Sequence, residues 1–121
     1  GLGDVYKRQN HLKVGPYQGG HGCLDIPFDQ GICGAAARTA TTQDVPDVHA
    51  RPEHIACSSS TNSEVVVPVI SPSGQVIAVL DVDSDDPSAF NGDDVALLES
   101  ICSTLGERYG EAVAARIPGL A

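Results

Sequence analysis

Two segments rich in Val and Ile, Glu64–Ile70 and Gln75–Asp83, flank the tetrapeptide Ser71-Pro72-Ser73-Gly74. β-Branched runs on either side of turn formers predict an antiparallel hairpin. With a symmetric four-residue turn, Ile70 faces Gln75 and Glu64 faces Asp81. Asp83, two residues beyond Asp81, points to the same face and lies diagonal to Glu64. Three carboxylates then converge at the open end of what is otherwise a core strand pair. Like charges directly opposite destabilise a sheet. Such a cluster therefore calls for solvent, a bound cation, or a carboxyl that keeps its proton.

After the hairpin, Asn91 is placed to cap a helix whose first turn holds Asp93 and Asp94, where the helix dipole favours acids. Val95, Leu98, Ile101, Cys102, Leu105, Tyr109 and Val113 recur at three- and four-residue spacing and predict one apolar stripe, with Cys102 a packing residue on it. Before the hairpin, His11–Gln18 reads as a strand, Gly19-Gly20 as a turn and Gly22–Pro27 as a second short strand. Ile32–Ala40 is small and Ala-rich and predicts a short helix, while residues 41–63 read as loop. The order strand, strand, helix, loop, hairpin, helix predicts an α+β domain with an antiparallel sheet. At 121 residues, the chain has room for one such domain. Its first nine residues, GLGDVYKRQ, show no clear periodicity and resemble translated adapter sequence. They are expected to be a non-native leader, with the domain proper over residues 10–121.

Charge narrows the function classes. The formal net charge is −9, and between Arg51 and Arg108 there is no Lys or Arg while ten acidic residues run from Glu53 to Glu107. A surface of this kind repels phosphate backbones, which excludes nucleic acid as the expected partner and favours a cationic or zwitterionic ligand. No apolar run approaches the ~18–20 residues of a spanning helix, so no membrane partner is expected. No apolar stretch follows Lys7 and Arg8 in the manner of a secretion signal, and the expected location is cytoplasmic.

The four cysteines, Cys23, Cys33, Cys57 and Cys102, form no C-x-x-C pair. Cys57 follows His54-Ile55-Ala56 and precedes Ser58-Ser59-Ser60-Thr61-Asn62-Ser63, a polar setting that suits an exposed, reactive thiol. Cys23 falls in the second strand. Cys33 opens the short helix, where the positive dipole end lowers a thiol pKa, yet among Gly and Ala it fits equally as a small packing residue. Zinc is a competing use: His21-x-Cys23 and His54-x-x-Cys57, with Cys33 or His49, could supply four ligands, although the spacings match no paired-knuckle pattern.

The motif order gives a more specific expectation. Gly15-Pro-Tyr-Gln-Gly19, Cys23-x-x-Ile26-Pro27, Gly31-Ile-Cys33-Gly34, Asp47-Val-His49, His54-Ile-Ala-Cys57, Asn62-Ser-Glu64 and Ala78-Val-Leu-Asp81-x-Asp83-Ser84 follow one another along the chain. This series resembles the free methionine-(R)-sulfoxide reductases, a branch of the GAF-domain family, over about Leu12 to Glu99. The resemblance implies a central antiparallel sheet with helices on one side and a ligand pocket under loops on the other. It implies Cys57 as the nucleophile, Cys23 as the thiol that resolves it, Cys33 as an auxiliary thiol, and Glu64, Asp81 and Asp83 as the acids that bind or protonate substrate. It further implies free methionine sulfoxide as substrate, thioredoxin as external reductant, and no bound metal or organic cofactor; a homodimer is one assembly left open. A non-catalytic GAF module that senses a small ligand is the alternative, since it would use the same pocket without the thiols. Ser58 stands where the family often carries an acid. Met and Trp are both absent, and family members carry further helices and a Trp-containing strand before the matching region. The expectation is an N-terminally shortened domain whose sheet, without that strand, exposes an edge.

Overall fold

The predicted hairpin supplies two interior strands of the six-stranded sheet found among the described residues. The computed structural model describes residues 2–8, 11–18, 25–27, 29–52 and 60–116. Along the chain these give β1 (Leu2–Arg8), β2 (His11–Gln18), β3 (Asp25–Pro27), α1 (Gly31–Thr39), β4 (Gln43–Val45), β5 (Ser63–Ile70), β6 (Val76–Ser84) and α2 (Gly92–Ala114). The strand order is β3-β2-β1-β6-β5-β4, and each neighbouring pair is antiparallel. The α+β class with a central antiparallel sheet is therefore as predicted. The turn expected at Gly19-Gly20 lies outside the described residues. Residues 41–63, expected as loop, hold the edge strand β4 and a single 3-10 turn at Val48–Ala50. A three-residue strand is too short to show a period.

The hairpin register differs from the symmetric one. Ser71 N–H donates to the Gln75 carbonyl at 2.8 Å, and Gly74 sits at φ +90°, which a glycine adopts without strain. The loop is thus three residues, not four. A bulge then leaves Ile77 without a partner, because Ile70 pairs with Val76 while Val69 pairs with Ala78. Each irregularity shifts the pairing by one residue. Together they place Glu64 opposite Asp83 and Val66 opposite Asp81. A two-residue shift preserves the face of every side chain, so the convergence of the three acids survives the corrected register.

Both faces of the hairpin are covered. Ile32, Cys33, Ala36 and Ala37 of α1 pack with Val66, Val76 and Val79 on one face. Cys102 and Ala114 of α2 pack with Val65, Val67, Val69, Ala78 and Leu80 on the other. The two helices thus lie on opposite faces, which corrects the expectation of helices on one side only. The buried line of α2 is Cys102, Gly106, Gly110 and Ala114. A Cβ on Gly106 would collide with the backbone carbonyl of Ile70, and one on Gly110 would come within 2.7 Å of the Ser71 Cα. Small residues let the helix backbone lie against the end of the hairpin. Ile101 and Tyr109, expected on the buried stripe, are instead 43% and 54% exposed. Asn91 caps α2 as predicted, its side chain accepting from Asp94 N–H while Asp94 accepts from Asn91 N–H.

The segment set apart as a leader lies within the sheet. Leu2–Arg8 pairs with β2 on one side and with β6 on the other, Leu2 opposite Val82 and Tyr6 opposite Ala78. Excluding residues 1–9 from the fold is corrected for these seven. Val5 and Tyr6 favour extended backbone. The free N–H and C=O groups along β6 are a template that an extended segment can satisfy. β1 lies between β2 and β6, and the sheet ends at β3 and β4 among the described residues. Among the described residues no helix is long and apolar enough to cross a membrane.

Candidate active site

The site is built where β5 and β6 end beside the start of α1. The chain enters α1 through Gly31 at φ +73°, a backbone conformation that favours glycine, and the third helical residue is Cys33. Glu64 is the second residue of β5, and Asp81 and Asp83 lie near the end of β6. All three acids share the sheet face against which α1 packs. Cys33 is 4% exposed and Glu64 7%, while Asp81 and Asp83 are half-buried. Cys33 Sγ donates to Asp81 Oδ2 at 3.5 Å. Asp81 Oδ1 is buried and meets no hydrogen-bond donor among the described residues.

Burial of so much negative charge is resisted by protonation. Burial first, then hydrogen bonding and repulsion from Asp81 and repulsion from Asp83, push the Glu64 pKa up to about 12. Asp83 is pushed up to about 7, again by burial first and by Asp81 next, with a hydrogen bond to Glu64 acting in the opposite sense. Glu64 therefore carries a proton at neutral pH. Cys33 is raised well above the ordinary thiol value by burial first and then by the neighbouring acids, Asp81 foremost. This reverses the lowering expected from the helix N-terminus. The partial charge of a helix end is outweighed by desolvation and by full charges across the site.

The strand ends are fixed by residues that sequence reasoning quoted but gave no role. Ser63 is fully buried; its hydroxyl donates to the Asp86 carbonyl at 2.6 Å and accepts from Ala89 N–H at 3.3 Å. Asn62 donates from its side-chain amide to the Asp85 carbonyl at 2.6 Å and accepts from His49 Nε2 at 3.1 Å. Asp47 in turn accepts from His49 N–H at 3.0 Å. The loop following β6 is thereby tied to the start of β5, next to Glu64. The signal was the position of Asn62 and Ser63 directly before an acid that must be held in register.

Cys33, Glu64, Asp81 and Asp83 are thus brought together. Cys23 and Cys57 lie outside the described residues, as do His21 and His54 of the zinc alternative. Among the described residues, Cys33 Sγ and one carboxylate oxygen each of Glu64 and Asp81 lie within 4.8 Å of one another, a set able to face a single cationic centre. Chemically the arrangement offers a cation-binding acid, a retained proton and a thiol on one buried face.

An antiparallel sheet with a helix on each face and a buried group of acids near its strand ends defines an α+β domain. Residues 4–107 match the GAF domain family. The free methionine-R-sulfoxide reductase of Saccharomyces cerevisiae is 43% identical over 99 residues, covering 82% of this chain and 55% of that protein. That of Escherichia coli is 39% identical over 100 residues, covering 77% of this chain and 60% of that protein. The structure of the Neisseria meningitidis free methionine-R-sulfoxide reductase in complex with its substrate superposes with a TM-score of 0.86 at 38% identity, covering 96% of this chain and 70% of that one. The chain belongs to the GAF-domain family, in the branch that contains the free methionine-R-sulfoxide reductases. It spans 55% and 60% of the yeast and E. coli relatives.

Proposed function

We propose that the chain reduces free methionine (R)-sulfoxide to methionine, with Cys57 as nucleophile and Cys23 as the resolving thiol. The observation that carries this reading is the grouping of Glu64, Asp81 and Asp83 on one sheet face beside Cys33, where burial among like charges favours retention of a proton. A free amino-acid sulfoxide presents both matching groups: an ammonium for the carboxylates and a polarised S–O for the proton. The relatives bearing the name of this activity add support.

The reaction balances as follows. The Cys57 thiolate attacks the substrate sulfur as the Glu64 carboxyl gives its proton to the sulfoxide oxygen. The S–O bond breaks, the OH group passes to Cys57 and methionine leaves, so Cys57 becomes a sulfenic acid and loses the two electrons that the substrate sulfur gains. The Cys23 thiol displaces that OH as water and forms a Cys23–Cys57 disulfide. An external dithiol such as thioredoxin returns both to thiols in a reducing compartment such as the cytoplasm, and Glu64 recovers its proton from solvent. No bound cofactor takes part.

Methionine release measured on Cys57→Ser and Cys23→Ser tests the assignment. Cys57→Ser is expected to release none. Cys23→Ser is expected to release one methionine per chain and then stall with thioredoxin as reductant. Sustained turnover in either variant would overturn that residue's role. Stoichiometric binding without any methionine from the unsubstituted chain would favour a sensor module instead.

A further inference from the structure

We infer that Asn62 and His49 form a clasp that positions Glu64: by bolting the start of β5 to the chain just past β6, they keep the Glu64–Asp83 pair closed to water. Both are positioning residues. The inference deepens the reductase reading and rests on it, since the acid so protected is the one that protonates the sulfoxide there. Three observations carry it. First, Glu64 and Asp83 are the last ladder pair but one, with only Ser63 opposite Ser84 beyond them. Strand ends open most readily, and water entering at this one would let a buried acid ionise. Second, every polar group of Asn62 is engaged at that end. Its N–H donates to the Ser84 carbonyl at 2.8 Å and its side-chain amide to the Asp85 carbonyl at 2.6 Å. Its own carbonyl accepts from Val48 N–H at 3.0 Å, and its Oδ1 from His49 Nε2 at 3.1 Å. One residue thus joins the 3-10 turn, the start of β5 and the chain following Asp83.

Third, the network fixes its own polarity. The Asp85 and Ser60 carbonyls, 2.6 and 3.4 Å from Asn62 Nδ2, can only accept, so the amide nitrogen faces them and Oδ1 faces the imidazole. Oδ1 can only accept as well, so His49 Nε2 carries a hydrogen. Asp47 holds the His49 backbone by accepting from its N–H at 3.0 Å. Among the described residues, the ionisable groups around Glu64 are Asp81 and Asp83 on β6 and Cys33 on α1. β4 meets Glu64 with Val45, and α2 lies on the other face. None of these groups is a cation that would favour the carboxylate, so Glu64 keeps its proton as long as water is kept out.

The test follows the Glu64 carboxyl by carbon NMR between pH 5 and 8 in the full chain labelled at its glutamate side chains, with Glu64→Gln to identify the signal. Methionine release from free methionine (R)-sulfoxide, with a small dithiol as reductant, is measured over the same range. In the unsubstituted chain Glu64 is expected to stay protonated throughout. In Asn62→Ala, and in the milder change His49→Ala at an exposed residue, it is expected to lose its proton within that range. Relative to the unsubstituted chain, kcat of these variants is expected to stay within about twofold at pH 5 and to fall about tenfold or more at pH 8, as a general acid is lost. His49→Gln returns a side-chain N–H to the imidazole Nε2 position and is expected to recover most of the His49→Ala loss. Gly106→Ala, which disturbs the opposite face of the sheet, is the control for lost stability and is expected to leave the Glu64 titration where it was. A titration unmoved by Asn62→Ala and His49→Ala, moved as far by Gly106→Ala, or not restored by His49→Gln overturns the inference. So does a Glu64 already ionised in the unsubstituted chain. Should the full chain release no methionine, the reductase reading fails separately, and the carboxyl titration still decides whether the clasp holds.

Discussion

Glu64 and Asp83 stand directly opposite each other across the β5–β6 pair, two acids in register where a sheet ordinarily pairs apolar or oppositely charged side chains. Their folded-state pKa values are raised, Glu64 to about 12 and Asp83 to about 7. The folded chain therefore binds more protons than the unfolded one. The stability these groups contribute is complete below pH ~4 and is lost as pH rises, for Asp83 up to about 7 and for Glu64 throughout the neutral range. The unliganded protein is expected to melt at a higher temperature at pH 5 than at pH 8. Glu64→Gln should flatten the slope, each proton contributing at most about 1.4 kcal/mol per pH unit. Thermal melts across that range check this; parallel profiles for the two proteins would contradict it.

Gly106 lies against the Ile70 carbonyl with no space for a Cβ. Gly106→Ala should force α2 away from the hairpin and cost about 1–3 kcal/mol despite the better helix propensity of Ala. Urea unfolding of the two proteins measures the difference. A stabilised variant would mean that α2 does not sit at this depth.

These two cases mark what the sequence made legible. Val-rich runs around Ser71–Gly74 were enough for the hairpin, and the parity of a strand was enough to put Glu64, Asp81 and Asp83 on one face. The pairing itself was not legible, because the three-residue loop and the unpartnered Ile77 are backbone choices that leave little trace in composition. In α2 the apolar period pointed to Ile101 and Tyr109, yet the buried line runs through Gly106 and Gly110. A period built on large apolar residues misses contacts made by backbone. The lowered pKa expected of Cys33 came from its helix position alone; burial in the fold reverses it first, and then acids 31 to 50 residues away in the sequence. β1 lacked any period, and its place follows from the edge of β6 that it covers.

Cys102 is 1% exposed, with its Sγ 3.9 Å from the Val67 carbonyl, on the sheet face opposite the acids. It should resist alkylation in the native protein and react only on unfolding. Cys102→Ala should cost about 1 kcal/mol and leave methionine release unchanged. Mass spectrometry after timed alkylation checks the first statement. Native labelling as fast as that of an exposed thiol would contradict it.

Ser63 ties the loop after β6 to the start of β5 through Asp86 and Ala89. Ser63→Ala leaves a carbonyl and an N–H without this partner and should cost about 1–3 kcal/mol. Hydrogen exchange at residues 84–89 should accelerate more than elsewhere. Uniform acceleration would mean that the hydroxyl contributes to global stability only.

The central claim is that the carboxylates of β5 and β6 recognise the ammonium of a free amino acid whose sulfoxide is then reduced. It is tested most directly by comparing thioether formation from two substrates: methionine from free methionine (R)-sulfoxide, and N-acetylmethionine from the N-acetyl derivative, which keeps the sulfoxide and loses the ammonium charge. Release from the free amino acid, with a kcat/KM for the N-acetyl compound lower by about 100-fold or more, is the expected result. Equal rates for the two compounds, or no thioether product from either, would contradict it.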